Sequence, residues 1–270
     1  MRQNVKRKAL FLFAKQQKTD FSFFQETHSV IDDASLWKAQ WGYDIWFLNG
    51  TERAAGAATL KNCFDGNILH SKVDPNGHYF ILIVDINDTI ILLVNIYGYN
   101  SKKENDILFD DLEIHILHWL SKYPNLLILM GGDFNIALDS LFDRYPPQTN
   151  NSMALNLTHF MLKFNLKDIW REKNPGMSSY TWSNKACSSL SQIDFWLISN
   201  CLDNNDIKVN ILTTPLTDHK AISINISLNN NDNISQRMGS YWKLNNSILT
   251  HEVVIKTVQS LIERFLNIKL

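Results

Sequence analysis

The chain has 270 residues and a mass of 31.2 kDa, room for one large domain with a substantial core. A composition of 45% hydrophobic and 20% charged residues, with Gly 10 and Pro 6, excludes a disordered or collagen-like chain. The formal charge of -1 gives no overall field toward nucleic acid or membrane, so an anionic partner must be gripped locally.

Cys63, Cys187 and Cys201 are odd in number and form no Cys-x-x-Cys pair, which argues against a disulfide framework or a thiolate zinc site and fits a reducing compartment. No apolar run approaches the roughly 20 residues that span a bilayer. The first eighteen residues are basic without an acid, and no apolar signal core follows, so the protein is expected in the nucleus or cytoplasm, not secreted and not membrane-bound.

In chain order, Val5 to Gln17 carries apolar residues at helical spacing between basic ones, an amphipathic helix. Asp20 to Phe24 is a short strand that ends in Gln25-Glu26-Thr27-His28, and Ala54 to Leu60 is a weaker strand. Tyr79 to Ile86 and Thr89 to Tyr97 are β-branched runs joined by Asn87-Asp88, the pattern of a hairpin. Lys103 to Tyr123 has helical periodicity and stops before Pro124. Leu126 to Met130 is a buried strand that opens into Gly131-Gly132-Asp133-Phe134-Asn135. A helix near Ser152 to Phe164 and strands near Gln192 to Ile198, Ile207 to Thr213 and Ala221 to Leu228 complete the series. The pattern predicts an α/β fold, a four-layer sandwich of two mixed β-sheets flanked by helices.

Polar residues recur just past strand ends, where neighbouring strands can bring them to one rim. These are Glu26, Asn95 with Tyr97 and Asn100, Asp133 with Asn135, Asp194, and Asp218 with His219. Asp194 lies within an apolar strand, so its burial demands a partner, and a histidine is the natural one. A carboxylate for a hard cation, an Asp/Asn pair to orient water, a His backed by an Asp, and a Tyr form a kit for hydrolysing a phosphodiester. All-oxygen ligands favour Mg²⁺ over zinc. His115 and His118 share a helix face but suggest no third ligand.

Phe24-Gln25-Glu26-Thr27-His28, Asn95-Ile96-Tyr97-Gly98-Tyr99-Asn100, Gly132-Asp133-Phe134-Asn135, Ser191-Gln192-Ile193-Asp194 and Asp218-His219 resemble, in order, the motifs of the exonuclease-endonuclease-phosphatase superfamily. The resemblance is greater to the apurinic-like endonuclease domain of LINE-type (non-LTR) retrotransposons, because Trp41, the Gly50 to Gly56 stretch, Asp168-Ile169-Trp170-Arg171 and Tyr180-Thr181-Trp182 resemble that branch.

The resemblance implies a nuclease that nicks double-stranded DNA with Mg²⁺, or Mn²⁺, and leaves a 3′-hydroxyl primer for retrotransposition. It implies metal ligation by Glu26 and Asp218, and catalytic roles for Tyr97, Asp133, Asn135, Asp194 and His219. Asn100, Thr181 and Ser191 match positions that contact the DNA backbone. The domain is expected over 1–228. After the asparagine cluster at Asn229 to Asn233, Tyr241-Trp242-Lys243-Leu244-Asn245 and the amphipathic Glu252 to Leu266 resemble the connector to a reverse transcriptase domain of the parent polyprotein.

Family members begin with a buried strand whose Asn contributes to the site, and no residue here matches that strand or that Asn. This departure implies a truncation that impairs activity. It keeps two alternatives in view, a noncatalytic nucleic-acid-binding remnant and a phosphomonoesterase of the same superfamily.

Overall fold

The computed structural model describes residues 1, 3–49, 56–148, 152–204 and 206–228. Helix α1 (Asn4–Gln17) buries Leu10, Phe11 and Ala14 and ends at Lys18 in the left-handed conformation. Strand β1 (Phe21–Phe24) leads through a single-turn segment into α2 (Ala34–Trp41), which buries Trp37 and Trp41. Strands β2 (Ile45–Leu48), β3 (Ala57–Lys61) and β4 (Asn67–Val73) follow.

The hairpin of β5 (Tyr79–Ile86) and β6 (Thr89–Tyr97) turns at Asn87 and Asp88, both at positive φ, as a two-residue turn requires. Helix α3 (Lys102–Lys122) crosses to β7 (Leu127–Asp133). Beyond it lie β8 (Arg144–Tyr145), α4 (Ala154–Lys163), β9 (Leu166–Asp168) and α5 (Ile169–Lys173). The chain then forms β10 (Trp182–Ser183), β11 (Leu190–Ser191), β12 (Asp194–Ser199), β13 (Asp206–Leu212) and β14 (Ala221–Ser227).

The main sheet has the order β4-β5-β6-β7-β12-β9 and is mixed, with β6 and β7 parallel through the α3 crossover. Strand alternation divides its residues between two faces. Tyr79, Ile81 and Ile83 of β5 pack with α3 and α4 on one side, while Phe80, Leu82 and Val84 face the second layer on the other. That second layer is antiparallel throughout and in two pieces, β1-β3-β2 and β13-β14. A third cluster, with Leu10, Phe11, Trp37, Trp41 and Leu60, packs α1 and α2 on the outside. The layers are therefore helix, sheet, sheet and helix, as the sequence predicts, with the mixed character confined to one sheet.

The predicted long elements are present with boundaries displaced by a few residues. Helix α2, β2, β4, β9 and α5 are additions that periodicity does not reveal, because each is short or, like β4, an edge strand with every second residue exposed. The Gly50 to Gly56 stretch up to residue 55, the Asn229 to Asn233 cluster, Tyr241 to Asn245 and Glu252 to Leu266 lie outside the described residues. The chain divides into Met1–Asn230 and Asn231–Leu270, and every described residue belongs to the first unit. Among the described residues no helix is long and apolar enough to cross a membrane.

Candidate active site

The end of the main sheet sets three polar side chains in a row. Tyr97 is the register partner of Asp133 across β6 and β7, and Asp133 is the register partner of Asp194 across β7 and β12. Directly paired residues share a face, here the face toward the second layer. One pair further back the same row reads Asn95, Gly131 and Trp196. Gly131 is required there because a Cβ would lie 2.6 Å from the Trp196 ring. Gly132 has φ +142 and a Cβ on it would meet the Ile96 carbonyl at 2.1 Å. The paired glycines thus let three strands and an indole close tightly beneath Asp133.

The second layer supplies Glu26. Its backbone is in the left-handed region, φ +50, two residues past the end of β1, a conformation uncommon for a residue other than glycine. Tyr97 Oη donates to Glu26 Oε1 at 2.8 Å, linking the two layers across the cleft. Behind this contact, Gln25 Nε2 donates to Asn95 Oδ1 at 2.7 Å, and Asn95 Nδ2 donates to the Ala58 carbonyl and to Thr59 Oγ1, both at 3.1 Å. Asn95 is wholly buried, and these bonds satisfy it. Gln25 is a positioning residue to which the motifs assign no separate role.

His219 Nδ1 lies 2.9 Å from Asp194 Oδ2 and 3.1 Å from Oδ1. The segment 181–183 holds both partners. Thr181 Oγ1 accepts the backbone N–H groups of Ile193 and Asp194, each at 3.1 Å. Trp182 forms a β-bridge with His219, and Lys220 N donates to the Thr181 carbonyl at 2.6 Å. Trp182 Nε1 also donates to Asp218 Oδ2 at 3.1 Å. Asn135, at φ +53, donates its backbone N–H to Asp133 Oδ1 at 2.9 Å and its side-chain amide to the Gly98 carbonyl at 2.8 Å.

Burial would lower the basicity of His219, but the hydrogen bond and charge of Asp194, with Asp133 and Asp218, outweigh it and raise its pKa to about 9. The ring is therefore an imidazolium at neutral pH, with Nε2 as its remaining donor. The Asp133 carboxyl is pushed well above the ordinary range by burial and by Asp194, against the opposing pull of His219 and the Asn135 N–H. Burial and the bond to Glu26 push the Tyr97 phenol up, so it stays protonated.

Asp133, Asp194 and His219 offer atoms within 4.8 Å of one another. His219 Nδ1 is hydrogen-bonded to Asp194 and so does not serve as a ligand while that bond holds. Glu26, Asp133, Asp194 and Asp218 line one cleft with His219, and Lys6, Lys18, Lys208 and Lys220 line it as well. The carboxylate oxygens of Glu26 and Asp218, both exposed, suit a hard divalent cation, Glu26 while it accepts from Tyr97 and Asp218 while it accepts from Trp182.

Of the three residues matched to DNA contacts, Asn100 is exposed at the start of α3, whereas Thr181 and Ser191 are buried, with exposures of 1% and 5%. The Thr181 hydroxyl works inward, behind Asp194. The network also includes Arg171, which is in contact with Asp143 and donates to Gln192 Oε1 at 3.3 Å, beside the strand that carries Asp194. His115 stands by Asp111 and Tyr79 on the far face of the main sheet, away from the site.

No family model matches the chain. It is 29% identical over 250 residues to the uncharacterized 149 kDa protein of transposon TX1 from Xenopus laevis, covering 92% of this chain and 18% of that protein. Among solved structures it is similar to the AP endonuclease LMAP from Leishmania major, with a TM-score of 0.67 at 19% identity over 82% of this chain and 81% of that one. The 3′ phosphatase NExo from Neisseria, bound to a product DNA hairpin, gives a TM-score of 0.64 at 17% identity over 83% and 95%. The endonuclease domain of TRAS1, a telomere-specific non-LTR retrotransposon, gives 0.60 at 15% identity over 84% and 94%. The chain is thus homologous to a transposon protein and has the fold shared by AP endonucleases and a retrotransposon endonuclease domain.

Proposed function

We propose that the chain is a divalent-metal-dependent DNA endonuclease that nicks a phosphodiester and leaves a 3′-hydroxyl to prime reverse transcription. The observation that carries this reading is the paired Asp133 and Asp194, with His219 on one and the Glu26–Tyr97 contact opposite, all at one cleft end. Transposon homology favours DNA as the substrate, and a reverse transcriptase domain is proposed for the longer parent protein.

In the proposed reaction a water oxygen bonds to phosphorus, the bond from phosphorus to the 3′ oxygen breaks, and that oxygen takes up a proton. In its ionised form Asp133 accepts the proton of the attacking water, and the burial and Asp194 charge that raise its pKa make that form a stronger base than an ordinary carboxylate. Asn135 fixes the Asp133 carboxylate through its backbone N–H. His219 donates from Nε2 to the phosphoryl oxygens as their charge develops, held by Asp194. Tyr97 keeps Glu26 in place. Glu26 and Asp218 would hold Mg²⁺ or Mn²⁺, which when bound supplies positive charge to the phosphoryl and leaving oxygens.

Supercoiled plasmid nicking with Mg²⁺ or with chelator tests the reading. Nicked circles with the metal, absent with chelator and in Asp133→Ala, are expected. Release of phosphate from small phosphomonoesters without nicking would favour the phosphatase alternative, and DNA binding without turnover the remnant.

A further inference from the structure

The row of polar side chains at the end of the main sheet continues one strand beyond Tyr97. Phe80 pairs with Asn95 and Tyr79 with Ile96, so His78, just before β5, stands opposite Tyr97, and Tyr97 N donates to the His78 carbonyl at 2.7 Å. The row then reads His78, Tyr97, Asp133 and Asp194, all toward the second layer. No sequence motif includes His78.

The imidazole is fixed from several directions. Its ring is parallel to that of Tyr97, with 2° between the planes and centroids 5.4 Å apart, and it stacks on Tyr99 at 3.5 Å. Its Nδ1 donates to the Tyr97 carbonyl at 2.6 Å. Buried Asp74 opens the turn Asp74-Pro75-Asn76-Gly77 and accepts the N–H groups of Asn76 and His78 at 3.0 and 2.8 Å, so the turn delivers His78 to one place. Buried Asn105 brackets Tyr99, accepting its N–H at 2.8 Å and donating to its carbonyl at 2.7 Å.

The phenol of Tyr97 reaches Glu26 across the cleft through one hydrogen bond, which lasts only while the ring keeps one rotamer. A tyrosine at a strand end has other staggered rotamers, and a parallel ring against its face removes them. Burial pushes the His78 pKa down, against the bond to the Tyr97 carbonyl and the charges of Asp74 and Glu104. The ring is therefore neutral at neutral pH, and it steadies the phenol without adding a positive charge that would compete with a cation at Glu26.

We propose that His78 is a positioning residue for Glu26: its ring, fixed by the Asp74 turn and by Tyr99, holds Tyr97 in the rotamer that bonds Glu26 and so sets that carboxylate for a divalent cation. The cation rests on the nuclease reading; the hold of His78 on the Tyr97–Glu26 contact does not.

Binding of Mn²⁺ alone to the full chain, read from the electron paramagnetic resonance signal of the free ion, tests the first part. His78→Ala and Tyr97→Phe should each weaken binding at least tenfold. The double variant should be within about twofold of Tyr97→Phe, because both changes act through one contact. His78→Phe, which keeps a stacking ring and loses the Nδ1 donor, should bind within about twofold of wild type, a rescue that a role limited to folding does not predict. Wild-type affinity in His78→Ala, multiplying losses in the double variant, or His78→Phe as weak as His78→Ala overturns the proposal. The second part is read in metal-free protein carrying carbon-13 at tyrosine Cζ, the Tyr97 resonance being the one absent in Tyr97→Phe. Glu26→Gln breaks the carboxylate contact and shifts this resonance, and His78→Ala should shift it in the same direction. A wild type that neither binds Mn²⁺ nor nicks plasmid defeats the nuclease reading alone; a Tyr97 resonance unmoved in His78→Ala defeats the positioning role.

Discussion

Asp133 and Asp194 are direct register partners across β7 and β12, two buried carboxylates side by side on one face. Their repulsion adds to desolvation in raising the Asp133 pKa, and the proton kept on His219 is the compensating charge. Removing the Asp194 charge with Asp194→Asn should return His219 from about 9 toward the ordinary imidazole range. An NMR titration of the His219 ring in chelator-treated protein measures this directly. An unchanged titration would mean that Asp194 is not what charges the ring.

The same pair predicts opposite effects on rate and stability. Asp133→Asn keeps the shape and a hydrogen-bond acceptor while removing a carboxyl whose ionised form is opposed by burial and by Asp194, so thermal unfolding should occur at the same temperature or higher. Nicking should fall at least 10²-fold, and His219→Ala should lose roughly 10²–10³-fold as one oxyanion donor is removed. Parallel melting curves and plasmid assays separate the two effects. A variant that nicks at the normal rate would remove Asp133 from the reaction.

Thr181 divides two roles. As a DNA-backbone contact its loss would weaken binding and spare folding, but its hydroxyl is buried and accepts two N–H groups at the start of β12. Thr181→Val leaves both donors unpaired, a cost of about 1–3 kcal/mol each before relaxation. Urea denaturation should show the loss, and Thr181→Ser should restore most of it. A Val variant with normal stability and weakened DNA binding would return Thr181 to the DNA surface.

How far the sequence spoke depended on the range of the contacts. The β5–β6 hairpin was legible because Asn87-Asp88 and two apolar runs are local signals, and Asp194 and Asn95 were conspicuous as polar residues within buried strands. The convergence of strand-end polar residues on one rim was legible, but the order of the row Tyr97, Asp133, Asp194 was not, because it depends on the registers of three strands whose partners are distant in sequence. The motifs matched Thr181 and Ser191 to DNA-backbone positions without revealing that both are buried, because a short motif names a position but not the direction in which its side chain is satisfied. Arg7 makes the point within α1. It belongs to the basic Lys6-Arg7-Lys8 run, yet it is buried, donates to Gln40 Oε1 at 2.8 Å and lies over the Trp37 ring.

Asp168 gives a pH signature remote from the cleft. Its carboxylate caps α5 by accepting N–H groups from Trp170 and Arg171, at 2.9 and 3.3 Å. Burial nonetheless raises its pKa from 3.8 to about 6, over the lowering effect of those bonds. The folded state therefore holds this proton more tightly than the unfolded chain. Its contribution to stability is greatest below pH 4 and declines as pH rises from about 4 to 6, by about 2–3 kcal/mol in all. Asp168→Asn keeps a competent cap without a titrating group. The stability difference between wild type and variant, measured by urea denaturation, should shift in favour of the variant across that window and be flat above pH 7. A difference that is constant from pH 4 to 7 would show that the capping bonds hold the Asp168 carboxylate ionised throughout.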